Sequence, residues 1–431
     1  MLWLLLACSD SGTFSPVTRD DPVADPTTSS PVQVDLIEPC EATDGLLAFA
    51  PELPELLEMD GLVSGERAAC QAVVHPFVAP AGQTVAIRLD GWVDRATVSF
   101  LDLRGHALEA SQTLEIGESA SFTPAWSGEF LVRVEPGDLD AEAHEYALSL
   151  TCEEACDLWT PRYPVVLVHG AAPADYLGLV DYFYAVRPTL EDLGVGVIAP
   201  VVDPFAGVDG RAAELAHHLD EFVDSGRARR FNLVAHSQGG LDARYLVSTL
   251  GYGDRVATLT SVAVPHRGTA VADAVNGMVS LSPLDGWLID AAADALASLL
   301  GLGDQDPAAA LADMTSASTA QFNLDNPDDA QVRYFSWSGR SCGLLEFGCQ
   351  ADTDGEIVAA YLGITYTLVE LLEGPNDGMV SVDSAIWGEY LGQLPADHMD
   401  QIGQIVDFAD SGFDHLGFFV DEARRLEAQG F

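Results

Sequence analysis

The sequence predicts an α/β fold, with a mostly parallel sheet covered by helices, preceded by a small all-β sandwich. Three observations predict it. From Tyr163 onward, apolar runs suited to buried strands alternate with stretches whose apolar residues recur at helical spacing. One such run, Phe231 to Ala235, leads into His236-Ser237-Gln238-Gly239-Gly240, after which Leu241, Tyr245 and Leu246 return at helical spacing. That is a strand, a sharp turn with a serine at its apex, then a helix. From Val32 to Cys152, by contrast, short alternating segments are broken by Gly, Pro and Asp, as in an antiparallel sandwich.

In chain order, the first segment is Met1-Leu-Trp-Leu-Leu-Leu-Ala-Cys8, whose Leu5-Leu6-Ala7-Cys8 resembles a bacterial lipobox. No Arg or Lys precedes the short apolar run, which departs from a complete signal peptide. The expectation is export, as an outer-membrane lipoprotein anchored at Cys8 or as an extracellular protein. Ser9 to Pro31, rich in Ser, Thr, Asp and Pro, reads as a disordered tether. Residues 1–31 are therefore taken as leader and tether, 32–157 as the β-sandwich and 158–431 as the α/β domain. Within the second segment, Gln83–Leu89, Ala96–Leu101, Glu129–Val134 and His144–Leu150 alternate as strands do. The run Phe122-Thr-Pro-Ala-Trp-Ser-Gly-Glu-Phe-Leu-Val-Arg-Val134 followed by Glu145-Tyr-Ala-Leu-Ser-Leu150 resembles the sandwich modules beside bacterial secreted hydrolases, such as the pre-peptidase C-terminal type. Such a module binds a surface or polymer, or simply spaces and shields its neighbour.

Composition narrows the partners. Acidic residues number 67 against 19 basic ones, a formal charge of −48, and every basic residue is Arg. Nucleic acid and anionic membrane surfaces would be repelled. Such a surface is explained by a saline habitat and carries little catalytic meaning. Leaving Cys8 aside, six cysteines remain: Cys40, Cys70, Cys152, Cys156, Cys342 and Cys349. An even number with no CxxC pair reads as disulfides in an oxidising compartment. Cys342 and Cys349, bracketing a short loop, are the expected pair; the connectivity of the other four is open.

In the α/β segment, Tyr163–Val168 reads as a buried strand ending in His169-Gly170, Phe183–Leu193 as a helix and Val195–Val201 as a strand. Asp209–Asp224 carries a helical stripe of Ala212, Leu215, Ala216, Leu219 and Phe222, and Ala257–Val264 is a further strand. The turn at Ser237 has the layout of a nucleophile elbow, with Ala235 where the first glycine is usual; a small residue there still lets strand and helix approach. A nucleophilic serine needs a base, and the base needs a carboxylate to hold its tautomer. In the order Ser, acid, His, the sequence offers Asp377, in a Gly-rich loop that follows the apolar run Ile364–Leu372, read as a strand. For the base it offers His398 or His415.

Five segments carry a more specific resemblance: Pro164–Gly170, Asn232–Leu241, Val264–Thr269, Asn376–Ala385 and Asp397–Gln404. Arg333–Trp337 and Phe419–Leu426 also fit. In this order, over residues 160 to 431, they resemble the secreted, calcium-dependent bacterial triacylglycerol lipases, the family I true lipases of the α/β-hydrolase superfamily. The resemblance implies Ser237 as nucleophile, Asp377 as orienting acid and His398 as general base, with His415 structural and His236 a packing residue. It implies an oxyanion hole from the backbone N–H groups of Ala171 and Gln238, each such donor being worth about 3 kcal/mol of barrier. Ala171-Ala172-Pro173 departs from the Leu and nearby Gly usual there. It also implies one structural calcium ion, held by carboxylates of Asp354 (or its neighbour Asp352) and Asp400 and by the carbonyls of Gln404 and Phe408. Asp383 stands where the family's second disulfide cysteine would be. The apolar face Leu288, Ile289, Ala292, Leu296, Leu299 and Leu300, inserted between Thr269 and Ala320, corresponds to the family's lid or to plain core.

The expected function is hydrolysis of lipid carboxylic esters through an acyl-enzyme, the substrate being a lipid or other acyl ester. Alternatives with the same triad are a broader carboxylesterase, a phospholipase or a polyester depolymerase. An alternative of another class is a non-catalytic envelope-binding protein. A dedicated folding chaperone is a partner that the resemblance leaves open.

Overall fold

Two packed antiparallel sheets precede one parallel sheet. The computed structural model describes residues 56–67, 72–91, 95–136, 144–153, 156–171, 181–204, 206–279, 286–299, 311–343, 356–404 and 412–431. The leader and tether, Cys8, Cys40, Cys70, Cys349, Asp352, Asp354 and Phe408 lie outside these residues.

The first strands are β1 (Leu62–Arg67), β2 (Val73–Ala79), β3 (Val85–Gly91), β4 (Ala96–Leu101), β5 (Gln112–Leu114), β6 (Ser119–Phe122), β7 (Gly128–Pro136) and β8 (His144–Cys152). They form two four-stranded sheets, β1-β8-β3-β6 and β2-β7-β4-β5, every pair antiparallel. Alternation puts Val85, Ile87 and Leu89 of β3 inside, with Arg88 outside. Phe77, Phe100, Phe122 and Phe130 meet at the centre, Phe100 stacked on Phe122 at 4.8 Å and Phe77 edge-on to both. A disulfide joins Cys152 to Cys156 where the sandwich ends. Cys342 is also disulfide-bonded, and Cys349, its expected partner, falls outside the described residues.

The second unit runs β9 (Val165–Val168), α1 (Val186–Asp192), β10 (Val197–Ile198), α2 (Val208–Asp224), β11 (Phe231–His236), α3 (Gly239–Ser248), β12 (Val256–Val262), α4 (Ala270–Val275), α5 (Gly286–Leu299), α6 (Ser316–Asp325), β13 (Arg333–Gly339), α7 (Gly363–Leu372), α8 (Val382–Ala385), β14 (Glu389–Leu394) and α9 (His415–Ala428). The six strands pair in the order β10-β9-β11-β12-β13-β14, all parallel. Apolar cores lie on both faces of this sheet, one through Val165, Leu167 and Val234, the other through Val166, Val168 and Leu233. Neighbouring residues of one strand thus face opposite cores, which is why these strands read as continuous apolar runs.

One expectation is corrected. Ile364–Leu372, read as a strand, lies in helix α7, with Thr365, Tyr366, Leu368 and Val369 buried. Those four positions are one helical face, packed against the main core and against α5 through Leu288, Ala292 and Leu368. An apolar stretch of nine residues suits either period, and tertiary packing decides. None of the helices among the described residues is long and apolar enough to cross a membrane.

The two units meet at the N-terminal ends of the parallel strands. Glu129 of β7, buried, accepts from Arg162 (2.8 and 2.6 Å) and from Arg229 (2.6 and 3.0 Å), which precede β9 and β11. Arg227 stacks over Trp126, and the Leu103 N–H donates to the Gly226 carbonyl.

Candidate active site

The opposite, C-terminal ends of the strands converge on Ser237. It occupies the turn between β11 and α3 with φ of 55°, a left-handed conformation that costs a non-glycine residue of order 1–3 kcal/mol. Close packing imposes the turn. A Cβ on Gly239 would stand 2.6 Å from the carbonyl oxygens of Val168 and His169, and one on Gly240 would overlap Val264. Ala235, fully buried between β9 and β12, fills the position where glycine is usual.

The structure brings Ser237, His398 and Asp377 into one hydrogen-bonded row. Ser237 Oγ lies 3.0 Å from His398 Nε2, and His398 Nδ1 lies 2.8 Å from Asp377 Oδ2. A carboxylate only accepts, so Nδ1 carries the imidazole proton and Nε2 is left basic toward the serine. Asp377 is fully buried, and its other oxygen accepts from the Met379 and Val380 N–H groups at 3.0 and 2.8 Å. His398 N–H donates to the Asp377 carbonyl at 2.8 Å, which joins the two loops. His415 takes no part: its Nε2 lies 3.0 Å from the Tyr184 carbonyl at the start of α9. The His236 ring is 4.5 Å from the ring of His398, and its Nδ1 is hydrogen-bonded to the Tyr182 hydroxyl at 2.8 Å.

Ala171 and Gln238 both border Ser237, one following the His169-Gly170 loop after β9, the other opening α3. The loop is held by a fully buried ion pair that sequence reasoning missed. Arg211 of α2 donates Nε–H to Asp242 of α3 at 2.7 Å, and its Nη2 donates to the carbonyls of His169 at 2.7 Å and Gly170 at 3.3 Å. Across a trans peptide the N–H points opposite the C=O. Drawing the Gly170 carbonyl toward Arg211 therefore turns the Ala171 N–H away from it. Burial pushes the Asp242 carboxyl up to about 7, with Arg211 pulling it back. Burial and then Arg211 lower His169 to about 4, which keeps that ring neutral. The available signal was a charge on each apolar helix face, beside Ala212 and Leu215 in α2 and beside Leu241 and Leu246 in α3. Gln401 was missed as well; its Nε2 donates to Asp377 Oδ2 at 3.0 Å.

The space beside Ser237 and His398 is apolar, walled by Pro265, Leu311, Met314, Met379, Val380 and Met399. An uncharged acyl group fits such walls. Asp400 and Gln404 lie on and just after the turn that follows His398. The Gln404 side-chain amide donates to the carbonyls of Asp181 (2.6 Å) and Tyr182 (2.8 Å), which ties the loop after His398 to the segment before α1. A carboxylate and a main-chain carbonyl are the oxygen donors a hard cation takes, and the other two expected donors, Asp354 and Phe408, lie outside the described residues. Among the described residues no group of three His, Cys, Asp or Glu side chains stands ready to hold a metal.

The parallel sheet, the strained serine turn after its third strand in sequence and the Ser–His–Asp row define an α/β-hydrolase. Among known proteins the chain is similar to bacterial triacylglycerol lipases, and it is a hydrolase enzyme. It is 28% identical over 316 residues to the triacylglycerol lipase of Pseudarthrobacter phenanthrenivorans, covering 62% of this chain and 98% of that protein. The triacylglycerol lipase of Burkholderia plantarii is also 28% identical, over 62% of this chain and 87% of the relative. The crystal structure of a metagenomic carboxyl esterase superposes with a TM-score of 0.46 at 21% identity, over 64% of this chain and 78% of that one. No family model matches the chain.

Proposed function

We propose that the chain hydrolyses carboxylic esters of lipids, as a triacylglycerol lipase, through an acyl-enzyme on Ser237. The observation that carries this reading is the row Ser237 Oγ, His398 Nε2 and Nδ1, Asp377 Oδ2 at 3.0 and 2.8 Å, with an apolar wall beside it. His398 Nε2 takes the serine proton as Oγ attacks the ester carbonyl. The tetrahedral oxyanion is met by the N–H groups of Ala171 and Gln238. Collapse breaks the bond to the alcohol, which leaves with the proton from His398. Water then repeats the sequence with His398 as base, releasing the fatty acid and restoring Ser237. Asp377 stays ionised and holds the imidazole in its Nδ1–H form.

Ser237→Ala should abolish hydrolysis of p-nitrophenyl esters; full activity in that variant would end the reading. An acyl-chain profile on purified protein assigns the substrate. Preference for palmitate with activity at an interface supports a lipase, and preference for butyrate without it an esterase. We further propose one calcium ion bracing the histidine loop through the Asp354 and Asp400 carboxylates and the Gln404 and Phe408 carbonyls. Chelation should lower the melting temperature, and Asp400→Ala should match the chelated enzyme; unchanged melting on chelation would count against the site.

A further inference from the structure

Tyr182 sits where three segments of the site meet. Its hydroxyl is hydrogen-bonded to Nδ1 of His236, one residue before Ser237, at 2.8 Å. The same oxygen packs against Gly170, one residue before Ala171: a Cβ there would stand 2.7 Å from it. The Tyr182 carbonyl accepts from Gln404 Nε2 at 2.8 Å, on the loop that follows His398. The ring is buried between those of His169 and His236, and it borders the space beside Ser237. Gly170 is thereby confined on two sides, its carbonyl bonded by His169 Nδ1 at 2.9 Å and Arg211 at 3.3 Å and its Cα packed on the Tyr182 hydroxyl.

We propose that Tyr182 is a positioning residue for acyl transfer: its hydroxyl bridges His236, by a hydrogen bond, and Gly170, by close packing, and holds the oxyanion loop in register with the strand that carries Ser237. The proposal rests on the serine-nucleophile reading above. A loop that loses this bridge binds the ground-state ester as before, since the acyl walls are untouched. It meets the tetrahedral oxyanion less well, so the loss falls on the transition state.

The experiment uses the full-length chain with Tyr182→Phe, His236→Leu and the double variant. It measures kcat and KM on p-nitrophenyl butyrate, the inhibition constant of a trifluoromethyl ketone that forms an oxyanion at the serine, and melting. For Tyr182→Phe the expected result is a tenfold to hundredfold fall in kcat with KM within about twofold, and ketone affinity weakened by a similar factor. The double variant should be no slower than the slower single one, because both remove the same bridge. Unchanged kcat and ketone affinity in Tyr182→Phe, or strictly multiplicative losses in the double variant, would overturn the proposal. If Tyr182→Phe does not fold, His236→Leu alone must show the same split between kcat and KM. Labelling of wild type by an alkyl phosphonate separates the two readings: no adduct on Ser237 sinks the nucleophile, whereas an adduct with an unimpaired Tyr182→Phe sinks only the bridge.

Discussion

Replacing Arg211 by Met separates what the buried ion pair does for stability from what it does for catalysis. Asp242 has Arg211 as its only side-chain partner among the described residues, and its Oδ1 already has none. Removing one partner of a buried pair costs about 3–5 kcal/mol because the other charge is stranded. Here the lower end applies. Burial has already pushed Asp242 up to about 7, so without Arg211 it takes a proton near neutral pH at little further cost. The remainder comes from the carbonyls of His169, Gly170 and Asp203, which lose donors at 2.7, 3.3 and 3.1 Å, at about 1 kcal/mol each. Urea unfolding should therefore show a loss of about 3 kcal/mol in Arg211→Met. Adding Asp242→Leu removes the stranded acid and should return at least about 1 kcal/mol. It restores neither Arg211 bond, to the His169 carbonyl at 2.7 Å or to the Gly170 carbonyl at 3.3 Å, and leaves Gly170 only His169 Nδ1 at 2.9 Å, so kcat in the double variant should stay tenfold or more below wild type. A double variant with kcat within twofold of wild type would refute the reasoning and leave Arg211 as a charge partner alone.

Three further expectations follow from other parts of the molecule. A Cβ on Gly339 would overlap Gln401 Nε2 and stand 2.8 Å from Asp377 Cβ. Gly339→Ala should thus cut kcat at least tenfold by displacing the acid, while an alanine at solvent-exposed Gly82, with nothing within 4 Å, should not. His169, held near 4 in the folded state against an ordinary 6.5, contributes stability that is full above pH 6.5 and is lost as pH falls toward 4. The difference of 2.5 pH units amounts to about 3 kcal/mol, which unfolding curves of wild type should lose over that window and those of His169→Asn should not. Glu129→Gln leaves Arg162 and Arg229 without their shared carboxylate, so melting should fall for both units together, by more than 5 °C; two separate transitions with the second unchanged would show that the units do not depend on this contact.

Several features of this protein were legible in one dimension because each rests on local chemistry. Short, valine-rich apolar runs such as Val165–Val168 favour strands buried on both faces, and alternating ones such as Val85–Leu89 half-buried strands. Ser237 was conspicuous because a turn that forces a left-handed serine also demands the small residues around it. The order of Asp377 and His398 along the chain narrowed the partners of that serine to one acid and two histidines. What the sequence could not say is which distant groups those residues would meet. Ile364–Leu372 is apolar at either period, and only its packing against α5 and the main core makes it a helix. Arg211 and Asp242 lie 31 positions apart on different helices, and their pairing exists because α2 and α3 pack together. Tyr182 looked like one aromatic among many. It gained its place only where the folded chain brings Gly170, His236 and Gln404 around one residue. Local physics determined the elements and the reacting groups; the long-range contacts, which carry no signature in spacing, decided how those groups are held.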